Sequence, residues 1–411
     1  MSGLLGGGLA ERALAVLTFQ AGYNSAVVLA GATALGVAAG VVGSFAFLRR
    51  RALLSDALSH ATLPGIALAF LIGVAAGLET RSLPLLLAGA AATGALGVVA
   101  VQAITRFTRI TEDAAIGIVL SVLYGVGIVL LSYVQSLSVG GQAGLKTFIL
   151  GQTAAMRRDE AIGLALLAAA AVAAALLLFK EFRLVCFDPG FAEGQGWPVA
   201  RIDLLMAGLT LFVTVIGLQT VGLILIVALL ILPPVAARFW SDRLPRILVV
   251  AGLFGGLSGY LGAAVSAVLP DMPTGAVIVL AAGLLFLLSM ILAPARGLLA
   301  VALRRLSFRL RLAESRALAG LIAGGRSAPG RIAAARLRLR GLTDAGGRLT
   351  PRGRMAAAAA ARNLRLWEAA LRDGLDDLPP RARWGVDPIE TVLPREAVAR
   401  LEMETAPGAR P

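Results

Sequence analysis

The segment Leu53-Leu54-Ser55-Asp56-Ala57-Leu58-Ser59-His60-Ala61-Thr62-Leu63-Pro64-Gly65 places a carboxylate and the only histidine of the chain four positions apart. On a helix, residues at i and i+4 share one face, so Asp56 and His60 point the same way. The apolar run around them continues to about Gly77. At roughly 1.5 Å per residue it reaches well across a bilayer. Ionisable groups at that depth are costly, face a cavity or another helix, and are functional candidates by default. One carboxylate oxygen and one imidazole nitrogen make half a coordination shell for a divalent metal. Pro64 has no N–H to offer the carbonyl of His60, so a helix bend is expected beside the imidazole. The ordinary alternatives are a hydrogen-bonded core histidine and an aspartate bonded to a neighbouring helix.

Such a pair matters only in a suitable scaffold. Of the 411 residues, 58% are hydrophobic and 15% charged, and mean hydropathy is +0.84. A soluble domain is nearer half apolar and a quarter charged, so this is a polytopic membrane protein. Cys186 is the sole cysteine, which excludes a disulfide framework and a cysteine-based metal site. A phosphate-cradling loop needs Gly-x-x-x-x-Gly-Lys followed by Ser or Thr. The only lysines, Lys146 and Lys180, lack that context. ATP hydrolysis is therefore expected on a separate subunit, and the chain itself is not expected to be an enzyme.

The first 20 residues lack the core and cleavage site of a signal peptide, being interrupted by Glu11 and Arg12 and loosened by Gly6-Gly7-Gly8. Apolar spans follow at about 25–48, 54–77, 83–105, 114–134, 160–179, 202–217, 219–239, 247–269 and 274–294. All read as helices, because lipid tolerates only helices or closed barrels. The 48 glycines suit close helix packing through small residues. Basic residues at span ends set the orientation. Arg49 to Arg51, Arg106 with Arg109, Lys180 with Arg183, Arg238 with Arg243, and Arg296 onward fall on one side, the cytoplasm, if nine spans alternate. The amino terminus is then outside and the tail inside, with Arg81, Arg157 and Arg158 as exceptions. Residues 140–155, Gly-rich and only partly apolar, read as a re-entrant or interfacial piece.

The run Arg49-Arg50-Arg51-Ala52-Leu53-Leu54-Ser55-Asp56-Ala57-Leu58-Ser59-His60-Ala61 resembles the signature of the zinc/manganese permease family of ABC importers. So does the stretch from Thr108 to Ile118. Its Glu112 and Asp113 also have an ordinary explanation as acids at the positive end of a helix dipole. Gly217 to Leu230, followed by Pro233-Pro234 and Arg238, is similar as well, and the likeness covers roughly residues 25 to 295. It implies a permease with Asp56 and His60 on the path of a transported divalent ion, manganese, zinc or iron. It also implies an ABC ATPase subunit, an extracytoplasmic metal-binding protein and a second permease subunit, identical or not. The cargo is the only metal implied; no cofactor is expected to be bound permanently. Alternatives are a permease for chelated iron or cobalamin, which shares the broad architecture, and a secondary transporter or channel working alone.

Between residues 180 and 201, Phe187-Asp188-Pro189-Gly190-Phe191-Ala192-Glu193-Gly194-Gln195-Gly196-Trp197-Pro198-Val199 is turn-rich at both ends, with a short helix expected near 190–195. It resembles the coupling loop by which such permeases dock onto their ATPase. The resemblance assigns that role to Phe187, Asp188, Pro189, Ala192, Gly196 and Val199, the alanine, glycine and valine matching small and apolar contacts. Phe and Trp in a cytoplasmic loop suit a protein interface; a plain solvated connector is the alternative.

Charge density jumps near residue 296: 22 arginines and 11 acids follow, so the tail carries +11 of the formal +14. The chain thus divides into a membrane domain at 1–296, a basic amphipathic linker at 297–324, a cytoplasmic domain at 325–405 and a disordered end at 406–411. In the linker, Arg304, Arg305, Arg309 and Arg311 alternate with apolar residues, as in a helix lying on the inner membrane surface. A helix at about 330–340, a hairpin turning at Asp344–Gly347 and a helix from Pro351 to about Arg372 suggest a winged helix. Leu349 to Arg354, Arg365 to Glu368 and Asp387 to Leu393 resemble the iron/manganese-dependent repressors. Leu364 and Thr391 stand where that family has histidine, while Glu368 and Glu390 remain, which puts metal sensing in doubt. Arg331, Arg336, Arg338 and Arg340 are candidate contacts to nucleic acid or lipid. A basic domain packing on the ATPase or on anionic lipid is preferred, with a membrane-anchored DNA-binding regulator as the alternative. The expected architecture is an all-α membrane protein of about nine transmembrane helices with a small α/β winged-helix-like domain at its carboxyl end.

Overall fold

The computed structural model describes residues 9–77 apart from 19 and 21, then 82–137, 156–269, 272–323, 330–372 and 382–405. The interfacial segment expected at 140–155 lies outside them. The chain divides into two compact units, Met1–Leu298 and Leu299–Pro411.

The first unit begins with a short helix, α1 (Leu9–Leu17), and continues in long apolar ones. These are α2 (Tyr23–Leu48), α3 (Ala52–Ala75), α4 (Leu83–Phe107), α5 (Glu112–Ser136) and α6 (Arg158–Leu177). Two short helices, α7 (Phe179–Phe187) and α8 (Pro189–Gly194), lead into α9 (Val199–Val221). The positive φ of Gly222 turns the chain into α10 (Leu223–Arg238), and α11 (Leu244–Val268) and α12 (Thr274–Leu292) complete the unit. Eight of these helices are long and apolar enough to cross a membrane. With 16 residues, α10 falls short of that length, so among the described residues about eight spans stand where nine were expected.

Glycine sets the closest approach. A Cβ at Gly36 of α2 would lie 2.1 Å from the carbonyl oxygen of Gly255 on α11, and one at Gly255 would lie 2.0 Å from that of Gly36. Gly40 faces the Ala251 carbonyl and Gly259 the Ala32 carbonyl in the same way, at 2.2 and 2.3 Å. The pairs 32/259, 36/255 and 40/251 step by four residues in opposite directions, the register of two antiparallel helices touching backbone to backbone. Gly65 and Gly89 do the same for α3 and α4.

Around these seams lie a small apolar cluster of Ala237, Ile247 and Ala251 and two large ones. One gathers on α2, with Leu29, Leu35, Phe45, Phe182 of α7, Ile226 and Ile278. The other gathers on α3, with Leu58, Ile66, Phe70, Ile116 and Leu218. Helix α9 belongs to both: Ile202, Met206 and Val213 enter the first, and Ala207, Leu211 and Val215 the second. It is the wall between two sub-bundles.

The second unit holds α13 (Leu298–Ile322), α14 (Arg331–Leu339), α15 (Pro351–Arg372), a 3-10 turn at Ile389–Thr391 and α16 (Arg395–Glu404). The later part of α13 packs inward, Leu318 meeting Leu337 and Ala357. A second core surrounds Trp367 with Leu366, Ala370, Ile389, Val398 and Leu401. The indole of Trp367 donates to the Asp387 carbonyl at 2.9 Å. Asn363 donates to the same oxygen at 3.1 Å and accepts from the amide of Ile389 at 3.0 Å.

The α/β winged-helix-like expectation is corrected here. Among the described residues the unit is helical, and its only pairing of extended residues is one isolated antiparallel bridge, Thr343 with Leu349. The expected turn exists: Gly347 donates to Asp344 at 3.1 Å and Asp344 to Arg348 at 2.9 Å. Its arms are too short to become strands. Gly341, at φ 66, closes α14, while Thr350 already caps α15, its hydroxyl accepting from Gly353 at 3.0 Å. Helix ends at both sides consume the residues a hairpin ladder would need.

Candidate functional site

Asp56 and His60 meet on α3, Nε2 lying 3.5 Å from Oδ1, with the carboxylate side chain 39% and the imidazole 25% exposed. The ring packs edge-on against Tyr124 of α5, centroids 4.9 Å apart. Nδ1 of His60 is buried without a hydrogen-bond partner among the described residues. Of the neighbouring hydroxyls, Ser59 donates to the Ser55 carbonyl at 2.8 Å and Thr62 to that of Ser59 at 2.6 Å, while the buried Ser55 hydroxyl has no hydrogen-bond partner among the described residues. Pro64 lies within a helix that continues on both sides, and α5 closes on it at Gly127, where a Cβ would sit 3.1 Å from the proline Cδ. The pair is held in place but not saturated. It offers one carboxylate and one imidazole nitrogen to a cation, and among the described residues no third His, Cys, Asp or Glu joins them.

A second charged group lies just before α3. Arg49 donates Nε and Nη2 to the two carboxylate oxygens of Asp203 at 3.0 and 2.9 Å. Arg51 adds an ion pair to the same carboxylate at 3.0 Å and another to Glu112, the first residue of α5. Asp203 is 5% exposed. Arg50 between the arginines has φ 62, the only positive φ outside glycine among the described residues. Sequence reasoning missed Asp203, and it placed Glu112 in the stretch that resembles the family, with a helix start as the ordinary alternative, without foreseeing its arginine partner. An acid at the mouth of an apolar span, on the same side as an arginine cluster, was the signal available for it.

The segment resembling a coupling loop is α7, α8 and the turn into α9. Asp188 caps α8, its Oδ1 accepting from the Phe191 amide at 2.9 Å, and Pro189 starts the helix where a missing N–H costs nothing. Gly196, at φ 80, reverses the chain. Of the residues assigned the coupling role, Ala192 and Val199 are buried in the chain's own core and Phe187 is 56% exposed; Phe191 and Trp197, outside that assignment, are 55 and 44% exposed. A cleft of about 820 Å³ runs between α7 and the start of α11, lined by Lys180, Arg183, Phe187, Asp188, Asp242 and Arg243. Cys186 nearby is buried enough to push its thiol up to about 12.

In the second unit the arginines singled out from sequence divide. Arg336 and Arg340 pair with the buried Glu314 of α13, the latter at 3.0 Å, while Arg331 and Arg338 are exposed. Glu390 is held by Arg362 and lies below the usual carboxylate range for that reason.

The sequence profile of the ABC 3 transport family matches residues 23–293. The chain belongs to that family. Among its ABC 3 relatives, the manganese transport system membrane protein MntC of Bacillus subtilis (strain 168) is 45% identical over 295 residues, covering 72% of this chain and 67% of that one. The zinc transport system membrane protein TroC of Treponema pallidum (strain Nichols) is 41% identical over 285 residues, 69% of this chain and 94% of that one. A solved structure, PsaBC from Streptococcus pneumoniae in complex with Fab, is 30% identical with a TM-score of 0.60, covering 72% of this chain and all of that one. The family match contains both charged groups and the α7–α8 segment, and it ends before α13.

Proposed function

We propose that the chain is the membrane-spanning permease subunit of an ABC importer that carries a divalent transition-metal ion, manganese, zinc or iron, into the cytoplasm. The observation that carries this reading is the Asp56–His60 pair, half-open on an apolar helix of an ABC 3 family member. The names of the relatives, manganese and zinc transport proteins, support the same class of cargo.

An extracytoplasmic metal-binding protein delivers the ion. Asp56 and His60 take it as two ligands, and the equivalent residues of a second permease subunit, or water, complete the shell. A carboxylate–imidazole set is harder than a thiolate set, which suits these three ions and disfavours copper(I). ATP hydrolysis belongs to a separate ATPase subunit. It docks on α7 and α8, where Phe187, Phe191 and Trp197 offer exposed aromatic surface, and drives alternating access by favouring one of two conformations. The protein sits in the cell's inner (plasma) membrane with its arginine-rich tail in the cytoplasm.

The test is uptake of radioactive manganese, zinc and iron(II) into proteoliposomes holding the assembled importer. Asp56→Ala and His60→Ala are each expected to abolish it while the purified protein elutes as the unsubstituted one does and still unfolds in a single cooperative transition. Normal uptake of all three ions by both variants would end this reading.

A further inference from the structure

The charged group formed by Arg49, Arg51, Asp203 and Glu112 lies outside the metal pair, and no part of the proposed path uses it. We infer that it is the mechanical link between the ATPase-docking segment and the metal pair, with Asp203 as the positioning residue through which motion passes; this rests on the permease reading above.

The connection is short at both ends. From α8, the amide of Trp197 donates to the Ala192 carbonyl at 2.9 Å, and those of Arg201 and Ile202 to the Pro198 carbonyl at 2.9 and 3.1 Å. The chain between α8 and the first turn of α9 therefore has no slack, and Asp203 follows directly on that turn. At the other end Arg51 is the residue immediately before α3, and Asp56 follows five positions later, about 7 to 8 Å along the helix. The second contact of Arg51, to Glu112, fastens the start of α5, whose Tyr124 packs on His60. Arg51, held by Asp203 on one side and paired with Glu112 on the other, thus ties α9 both to the helix that carries the metal pair and to the one packed against it.

The local strain has a use on this reading. A left-handed, non-glycine residue persists only where its surroundings over-determine it. The turn at Arg50 is what lets Arg49 and Arg51, two residues apart, reach the same carboxylate. A buried ion pair is a poor way to gain stability, since well-packed apolar residues do as well. It is a good way to fix register between elements that must move together. Here it joins, at one end of α9, the α2 and α3 sub-bundles that the helix otherwise separates.

The experiment compares the assembled importer carrying Asp203→Asn with the unsubstituted one in proteoliposomes, using manganese as the probe. The substitution keeps the size of the side chain and removes its charge. Manganese uptake is expected to fall about ten-fold or more, while ATP hydrolysis and the midpoint of manganese binding each stay within about two-fold, the pattern of lost coupling. Asp203→Glu, which keeps the charge that both arginines share, is expected to retain most of the uptake.

A second readout does not depend on the cargo. Spin labels at Leu53→Cys and Phe191→Cys, both exposed, in a Cys186→Ala background report the distance between α3 and α8 with and without ATP. The distribution is expected to be the same in both states of the unsubstituted protein and to broaden or split with Asp203→Asn. Identical distributions in the two proteins, or normal uptake by Asp203→Asn, overturn the inference. So does joint loss of uptake, hydrolysis and melting temperature in Asp203→Asn and Asp203→Glu alike, which marks a structural role only. An unsubstituted importer that moves no divalent ion sinks the permease reading instead, and the labels then decide the link alone.

Discussion

The two units hold their charges and cores on different plans. In the tail, acids and arginines pair between helices: Glu314 with Arg336 and Arg340, and Arg362 with Glu390 and Glu402. Large side chains fill its cores, Trp367 above all. In the membrane unit the helices touch through glycine and alanine, and the charges are concentrated at helix ends. There the Asp203 carboxylate is matched as fully as anything in the tail, while Asp56 and His60 are not. Against such a background an underfilled pair inside an apolar helix stands out. A charge that its neighbours satisfy explains itself structurally; one left with spare ligand capacity points to something that comes and goes.

The largest effect tests that contrast directly. Replacing Asp56 or His60 with Ala is expected to abolish metal uptake at little cost in thermal stability, because the carboxylate makes one 3.5 Å contact and the imidazole adds only its edge-on packing against Tyr124. A large drop in melting temperature with either variant would move the pair into the structural class. Next comes Trp367→Ala, which empties a site 1% exposed and orphans its hydrogen bond to Asp387. A loss of about 3–5 kcal/mol in the tail is expected, read as an earlier tail transition in calorimetry of the full chain, with uptake unchanged at temperatures below that transition.

Gly36→Ala probes the opposite construction, since a single methyl group meets the Gly255 carbonyl. It is expected to cost about 1–3 kcal/mol as α2 and α11 are forced apart, seen as a lower melting temperature of the membrane unit only. The thiol of Cys186, pushed up to about 12 by burial, should alkylate far more slowly at pH 8 than an exposed cysteine does. Modification as fast as that of a small free thiol would show that α7 opens. The smallest effect is in the tail. Glu390 has its folded-state pKa lowered by Arg362, so its contribution is present above the ordinary carboxylate range and is lost as pH falls through the lowered value. Because the pair is solvent-screened, Glu390→Gln is expected to cost below about 1 kcal/mol at neutral pH. The difference should vanish in acid denaturation series at low pH.

How much of this could be read from sequence depended on distance along the chain. The apolar spans were legible because a bilayer imposes length and composition on each helix separately. Tail helices α14 and α15 were legible from their own periodicity and from Pro351, which suits a first helical turn. The Asp344–Gly347 turn was read correctly, but the strands around it were not. Turn chemistry is local, whereas a strand needs a partner long enough to pair with, and the ends of α14 and α15 leave too few residues.

The same division runs through the functional residues. Asp56 and His60 are four apart on one helix, so sequence alone placed them side by side. Asp203 meets Arg49 across 154 positions, and no local period encodes that meeting. Nor could sequence tell that Ala192 and Val199 face inward while Phe191 and Trp197 face out, because six-residue α8 and the turn after it are too short to show a periodic face. Composition and spacing determined that helices cross a membrane and that one of them carries an acid beside an imidazole. Only tertiary packing decided which carboxylate fastens that helix to its neighbours, because burying a charge is tolerable only where distant parts of the chain bring its partners to it.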